Sequence, residues 1–139
     1  MKRGFLVCLL VCAGLGAGCK TPKPKARPPD PPPDWTVNPK PRDSVYLYVV
    51  GSSLDHPTAL DAREAAYGDA LRKIRHSIAM ELGGPPAVTD ADIAIPVGRA
   101  EVMPGCVYTE RGFRGYRGWV QVSFPVTERR KILDAWNAP

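Results

Sequence analysis

Apolar residues from Ser44 onward follow the periods of regular secondary structure. Ser44 to Ser53 is rich in β-branched and aromatic residues, which favours a strand. Both faces of this segment are apolar, which predicts a central strand of a sheet. Tyr116 to Val126 alternates small or apolar residues with Trp119, Gln121 and Ser123, and is predicted to be a second clear strand.

The segment from Thr58 to Leu82 has the period of one long helix. Thr58-Ala59-Leu60-Asp61 has the form of a capping box with Asp in place of Glu, and Gly83-Gly84-Pro85-Pro86 is a typical helix stop. The apolar side is formed by Ala66, Ala70, Ile74 and Ile78, flanked by Tyr67, Leu71 and Leu82. The polar side is formed by Arg63, Asp69, Arg72, Lys73 and Arg75, among which Asp69 and Lys73 have the spacing of an ion pair.

Three weaker patterns complete the predicted elements. Ile93-Ala94-Ile95 is compatible with a short strand, which Pro96 would confine to an edge. Ala100 to Arg111 favours a strand with a break at Pro104-Gly105, and Gly112 to Gly115 supplies turn residues before the next strand. Thr127 is expected to cap a final helix, Glu128 to Trp136, with Ile132, Leu133 and Trp136 facing inward. This order predicts a two-layer α+β fold: one long helix on a small antiparallel sheet of three to four strands, and a short C-terminal helix.

The first nineteen residues have the order of a secretory leader. Met1-Lys2-Arg3 is positively charged, Gly4 to Leu15 is apolar, and Gly16-Ala17-Gly18-Cys19 is a run of small residues that ends in a thiol. The apolar run is too short for a spanning helix, which needs roughly 20 residues. The segment resembles a bacterial lipoprotein signal, in which Cys19 would be acylated and become the first mature residue, although the leucine stands one position earlier than usual. The alternative is an ordinary secretory signal, with Cys19 free or in a disulfide.

Composition divides the rest of the chain into a spacer and one domain. Residues 21–34 hold seven of the sixteen prolines, which excludes a helix or a central strand there. We therefore expect a signal peptide at 1–18, a lipid-anchored Pro-rich tether at 19–42 and a small α+β domain at 43–139. From Trp35 onward the chain has 13 Lys and Arg against 12 Asp and Glu, so the whole-chain charge of +5 does not indicate nucleic-acid binding. The basic tether would suit anionic lipid headgroups.

Few residues are available for catalysis or metal binding. Cys8 and Cys12 lie in the leader, so Cys106 is the only cysteine expected in the mature domain beside the anchor. His56 and His76 do not form a metal-site pair with it, and no cofactor motif is present. We expect a protein that is not an enzyme and holds no metal or cofactor. The alternative is a cell-wall hydrolase or thiol enzyme that uses Cys106.

One basic stretch is a candidate binding surface. Arg111 to Gly118 alternates arginine, glycine and aromatic residues like an RNA-binding box, but a single copy between two strands is better explained as a hairpin with arginines on its solvent face. We expect no nucleic-acid partner, and an anionic surface such as lipid headgroups is the more plausible ligand. Trp35 is expected to dock on the edge of the domain. The possible partner surface is Trp35, Arg111, Arg114 and Arg117.

The domain also resembles a family of lipoproteins. A Pro-Asp-Trp start, a tyrosine-rich strand ending in Val-Gly-Ser, an Ala-rich helix and a later Gly-Cys-Val-Tyr strand are similar to features of the LPP-twenty-like lipoproteins, over about residues 35–125. The resemblance implies a helix on a curled sheet and a location in the cell envelope. It implies no catalytic residues. We therefore expect a protein anchored in a Gram-negative envelope, at the outer membrane and facing the periplasm, where it binds a protein partner or supports assembly of the envelope or a surface structure.

Overall fold

The computed structural model describes residues 30–85, 87–95 and 99–139. Its helices are α1 (Ala59–Glu81) and α2 (Val126–Trp136), and its strands are β1 (Tyr46–Ser52), β2 (Glu101–Arg111) and β3 (Tyr116–Pro125). Two short 3-10 turns lie at Asp34–Thr36 and Asp90–Asp92. The long helix packs on a three-stranded antiparallel sheet and a short helix follows, which confirms the predicted α+β class.

The strand order β1-β3-β2 places β3 at the centre of the sheet. The prediction that the first strand is central is therefore wrong, because β1 pairs only with β3 and lies at an edge in the described part of the chain. Leu47 and Val49 pack towards the helix, whereas Tyr46 and Tyr48 lie on the opposite face. Apolar residues on both sides of a strand indicate that both faces of the sheet are covered. They do not indicate whether the strand has one neighbouring strand or two.

The hydrophobic core lies between α1 and one face of the sheet. The predicted alanines and isoleucines of α1 are buried, and they pack on Val120, Val122 and Phe124 of β3. The helix lies very close to the sheet where Gly51 and Gly118 face it, since a Cβ atom at either glycine would overlap helix backbone atoms. Small residues on both layers therefore set the distance between helix and sheet.

The ends of α1 are formed by the residues that the sequence indicated. The Thr58 hydroxyl accepts a hydrogen bond from the Asp61 N–H at 3.1 Å and donates one to the Asp61 carboxylate at 2.8 Å. Asp61 therefore bonds the side chain of the cap, whereas in a full capping box it would bond the backbone. After the last turn, Gly83 and Gly84 have φ of 112° and 68°, which non-glycine residues rarely adopt.

The weaker sequence predictions are confirmed in part. β2 has an irregularity in its pairing with β3 between Val102 and Val107, at the predicted Pro104-Gly105 break. Residues 93–95 do not form a strand. They follow the turn at Asp90–Asp92, and Ile93 is buried in the core, so the apolar pattern there reflects burial of a loop.

The C-terminal helix begins earlier than the sequence suggested. β3 continues directly into α2, and the Val126 N–H still donates to the Val45 carbonyl of the neighbouring segment at 2.8 Å. Thr127 therefore lies within the first turn and does not cap the helix. Ile132 and Leu133 pack against the core as predicted, but Trp136 is 44% exposed because it is the last helical residue.

Candidate binding surface

A hairpin between β2 and β3 projects basic and aromatic side chains. The turn closes with a 2.7 Å hydrogen bond from the Gly112 N–H to the Gly115 carbonyl. Phe113 at its apex is fully exposed, at 105% of the reference area, and Arg114 beside it is also exposed. Gly115 has φ of 143° and lies against the backbone of His56, where a larger residue would clash. We call residues 111–116 the hairpin tip.

The three predicted arginines have different roles in the structure. Arg117 Nε donates to Asp55 Oδ1 at 2.6 Å, and this hydrogen bond raises the pKa of Arg117. Arg111 lies 5.8 Å from the centre of the Tyr116 ring. Neither Arg111 nor Arg114 has an acidic partner within hydrogen-bond range among the described residues. Arg117 therefore holds a neighbouring loop, and the other two arginines remain available to a ligand.

A second exposed apolar side chain lies beside the hairpin tip. The loop after β1 runs along the start of β3, with hydrogen bonds from the Ser53 N–H to the Gly118 carbonyl at 2.9 Å and from the His56 N–H to the Tyr116 carbonyl at 2.8 Å. Leu54 in this loop is 85% exposed. Leu54 and Phe113 are the two most exposed large apolar residues of the described chain. One end of the domain thus combines apolar and basic side chains.

The face of the sheet opposite α1 is crossed by the segment that precedes β1. Tyr108 donates its hydroxyl to the Asp30 carbonyl at 3.0 Å, the turn at Asp34–Thr36 lies against β3, and Lys40 donates to the Tyr48 hydroxyl at 2.8 Å. We call residues 30–43 the N-terminal strap. It runs from β2 over β3 to β1, so the described end of the predicted tether lies on the domain.

Trp35 belongs to the N-terminal strap and is half-buried. The strap crosses the sheet face on which Tyr108 and Trp119 pair, with ring centres 5.6 Å apart. On the same face Gln121 is 2% exposed, and its Nε2 has no hydrogen-bond partner among the described residues. Trp35 therefore lies in the segment that crosses this sheet face, and the partner surface that it would form with the arginines stays a prediction.

Asp43 closes the strap onto the first strand. Its carboxylate accepts from the N–H groups of Tyr46 and Val45, at 2.6 and 2.8 Å, and from the Tyr48 hydroxyl at 2.7 Å. The bonds from Tyr46 N–H, Tyr48 and Val45 N–H lower the pKa of Asp43 to about 2. Nothing in the sequence pattern singled out this residue, although an Asp before a strand is a frequent turn former.

Asp69 lies at the boundary between helix and sheet and not on the solvated side of α1. Its carboxylate accepts from the Ser52 N–H at 3.0 Å and from Lys73 at 2.8 Å, and it also pairs with Arg72. Burial raises the pKa of Asp69, but these bonds outweigh burial, so the net pKa lies below its ordinary value. The prediction of an Asp69–Lys73 pair is confirmed.

These side chains also occupy the outer edge of β1. Lys73 donates to the Val50 carbonyl at 2.9 Å, Asp69 accepts from the Ser52 N–H, and Asp43 accepts from the Tyr46 N–H. An edge strand otherwise offers such groups to a strand of another chain. The polar residues of α1 and of the strap therefore protect the sheet edge.

A groove and an exposed side-chain pair lie on the helix layer. A groove of about 470 Å³ runs between the first half of α1 and β2, lined by Leu60, Arg63, Glu64, Tyr67, Ala100 and Val102. The Tyr67 hydroxyl is bonded to the Ala100 carbonyl at 2.8 Å, so this tyrosine holds the groove together. Further along α1, His76 Nδ1 lies 3.1 Å from Asp90 in a solvent-exposed pair.

Cys106 is half-buried in the irregular part of β2. The histidines lie on other elements: His56 bridges Tyr116 through the backbone, and His76 pairs with Asp90. Within residues 30–85, 87–95 and 99–139, no group of three His, Cys, Asp or Glu side chains could hold a metal ion. Among the helices of this part of the chain, none is both long and apolar enough to cross a membrane.

The proposed leader and Cys19 lie outside the described residues. Within them, sequence reasoning missed Leu54, Asp43 and the exposure of Phe113. For Phe113 a signal was present, because a lone aromatic residue between turn glycines has no strand neighbours to cover it.

The fold and the surface define the class of protein: a small two-layer α+β domain with one basic, apolar end and a strap over its second sheet face. No protein-family model matches the chain, no curated protein is significantly similar to it, and no solved structure matches it significantly.

Proposed function

We propose that this chain is a lipid-anchored protein of a Gram-negative cell envelope, held at the outer membrane through Cys19 and facing the periplasm. In this proposal the domain is not an enzyme. It binds an envelope protein or supports assembly of the envelope or a surface structure, as the resemblance to the LPP-twenty-like lipoproteins implies. The observation that carries the proposal is the order of a charged start, an apolar run and small residues before Cys19, followed by a Pro-rich spacer.

The contacts of the domain support a binding role. The carboxylates of Asp43 and Asp69 each accept hydrogen bonds from backbone N–H groups at the strap and at the edge of β1. These charges therefore stabilise the fold. Arg117 is likewise bonded to Asp55. The exposed features that remain are the hairpin tip and the groove between α1 and β2, and both are surfaces on which a partner can bind.

Mass spectrometry of the mature N-terminus tests the anchor. We expect a chain that begins at an acylated Cys19 and that fractionates with membranes. Cys19→Ser should stop maturation or release the protein, because no other residue near the cut site can carry the thioether-linked lipid. Cys106→Ala is the matched control, since it removes the other cysteine of the predicted mature chain and should leave acylation unchanged.

Two results would contradict the proposal. A mature chain with a free N-terminus at another residue would exclude the lipid anchor. If cells with Cys106→Ala lose the function of the protein while the variant folds and is anchored normally, the thiol enzyme would be favoured instead. If neither result is found, crosslinking the anchored protein in intact cells would identify the partner.

A further inference from the structure

We propose that the hairpin tip docks on the anionic headgroups of the membrane that holds the anchor, with Phe113 entering the interface and with Arg111 and Arg114 on lipid phosphates. This inference rests on the proposed lipid anchor and adds a second, protein-made contact with the bilayer.

The first argument is the chemistry of the hairpin tip. An exposed aromatic ring between arginines suits the bilayer interface, where the ring contacts the acyl boundary and the cations lie among phosphates. Phe113 is fully exposed, and Leu54 adds a second exposed apolar side chain beside the start of β3. Phe113, Leu54 and two arginines without an acidic partner in the described chain thus lie on neighbouring segments at one end of the domain.

The second argument is the balance of charge around the patch. Two acidic groups, Asp55 and Glu110, lie close to Arg117. Asp55 is bonded to Arg117, and Glu110 lies opposite Arg117 in the pairing of β2 with β3. Arg117 offsets one of these two negative charges, so the three arginines against two carboxylates leave this end of the domain with a net charge of +1.

The third argument is where the tether reaches the domain. The N-terminal strap begins at Asp30, whose carbonyl accepts from Tyr108. Tyr108 is three residues before Arg111 along β2, a distance of roughly 10 Å. Ten residues lie between Cys19 and Asp30, and the eleven steps that they make span at most roughly 40 Å when extended. The anchor therefore joins the domain near the hairpin tip, so the tip can reach the membrane surface.

The test uses the full chain as cells produce it, bound to vesicles of phosphatidylglycerol and phosphatidylcholine or of phosphatidylcholine alone. Hydrogen exchange of the amides of Phe113 and Arg114 is measured on both. We expect slower exchange on the vesicles that contain phosphatidylglycerol. Arg111→Gln and Arg114→Gln should each weaken this protection about fivefold. Phe113→Ser should weaken it as well.

The controls lie at the other end of the domain. Val45→Ser removes an exposed apolar side chain at the start of β1, and Arg130→Gln removes an exposed charge of α2. Neither should change exchange at the hairpin tip. Equal exchange on the two kinds of vesicle would overturn the inference. A second result would also overturn it: soluble polyglutamate protects the hairpin tip as well as the vesicles do, and Phe113→Ser does not reduce that protection. The hairpin tip would then bind anionic polymer and not a membrane.

The two proposals can fail separately. The mass of the N-terminal peptide reports the lipid anchor, and exchange at the hairpin tip reports docking. An acylated chain with an unprotected tip would overturn only the docking proposal. An unacylated chain whose tip is protected on vesicles containing phosphatidylglycerol would overturn only the anchor and would support docking.

Discussion

Asp43 shows how one exposed carboxylate can organise two segments. It accepts from the backbone of Val45 and Tyr46 and from the Tyr48 hydroxyl, which in turn accepts from Lys40. The Lys40 ammonium also lies 4.4 Å from the centre of the Tyr48 ring. A single residue thus fixes both the start of β1 and the end of the N-terminal strap.

This arrangement predicts an acid-sensitive contact at the scale of one residue. The folded-state pKa of Asp43 is about 2, below the ordinary value of 3.8. A group whose pKa is lower in the folded state stabilises the fold above its ordinary pKa, and that contribution is lost as pH falls from 3.8 towards 2. Urea midpoints measured across this range should fall with pH in the natural chain.

Asp43→Asn should make the same curve less steep, because the variant has no carboxylate to protonate. The carboxyl groups of Asp69, Asp92 and Glu128 also have lowered pKa values, so some acid dependence should remain. Asp134→Asn, a change at an exposed residue of α2, is the control. An unchanged slope in Asp43→Asn would show that this carboxylate does not contribute.

At the scale of the element, the contact between α1 and the sheet depends on the absence of side chains. A Cβ atom at Gly118 would lie 2.6 Å from the Ala62 carbonyl oxygen, closer than a real contact. Gly68 lies in the same helix on an exposed position, and a Cβ atom there would meet nothing within 4 Å. A side chain is therefore excluded at Gly118 and tolerated at Gly68.

We expect Gly118→Ala to lower the free energy of unfolding by about 1–3 kcal/mol, because the helix must move away from a packed core. Gly68→Ala should raise it by about 0.5–1 kcal/mol, since alanine is the better helix former and nothing obstructs it. Urea unfolding of both variants measures the two changes. A Gly118→Ala variant as stable as the natural chain would contradict this close packing of helix and sheet.

The sequence predicted the helices and strands better than it predicted which of them pack or pair with one another. The bounds of α1 follow from a local cap and a local stop, Thr58 and Gly83-Gly84, and were predicted to within a residue or so. The position of β1 at an edge could not be predicted, because pairing partners are chosen by contacts distant in sequence. The burial of Asp69 was missed for the same reason, since the Ser52 N–H that it binds is 17 residues away.

At the scale of the whole molecule, the N-terminal strap covers the sheet face that the helix leaves open. A domain of roughly 100 residues has only a modest core, and a sheet with aromatic residues on both faces needs a covering segment on each face. The strap supplies one of them through hydrogen bonds at Tyr108 and Tyr48. Because α1 packs only on the other face, we expect the strap and α1 to detach from the sheet independently.

Replacing both strap contacts tests this view. Tyr48→Phe with Tyr108→Phe removes the two hydroxyl groups while retaining the rings, so backbone amides of residues 34–38 should exchange several-fold faster with solvent, with the amides of α1 little changed. Tyr46→Phe is the matched control, since its hydroxyl makes no hydrogen bond among the described contacts. Faster exchange in α1 to the same degree would show instead that strap and helix open together.

The sequence alone determined the elements and the class of fold, because helix caps, glycine stops and alternating apolar residues act over a few neighbouring positions. It also supplied the pattern on which the predicted leader depends, and the arginine-rich hairpin. The tertiary structure decided which strand is central, which charges maintain the fold, and which arginines and apolar side chains meet at one end of the domain. Those outcomes depend on packing between distant segments, where competing contacts determine each residue's surroundings, and a local pattern carries no record of that competition.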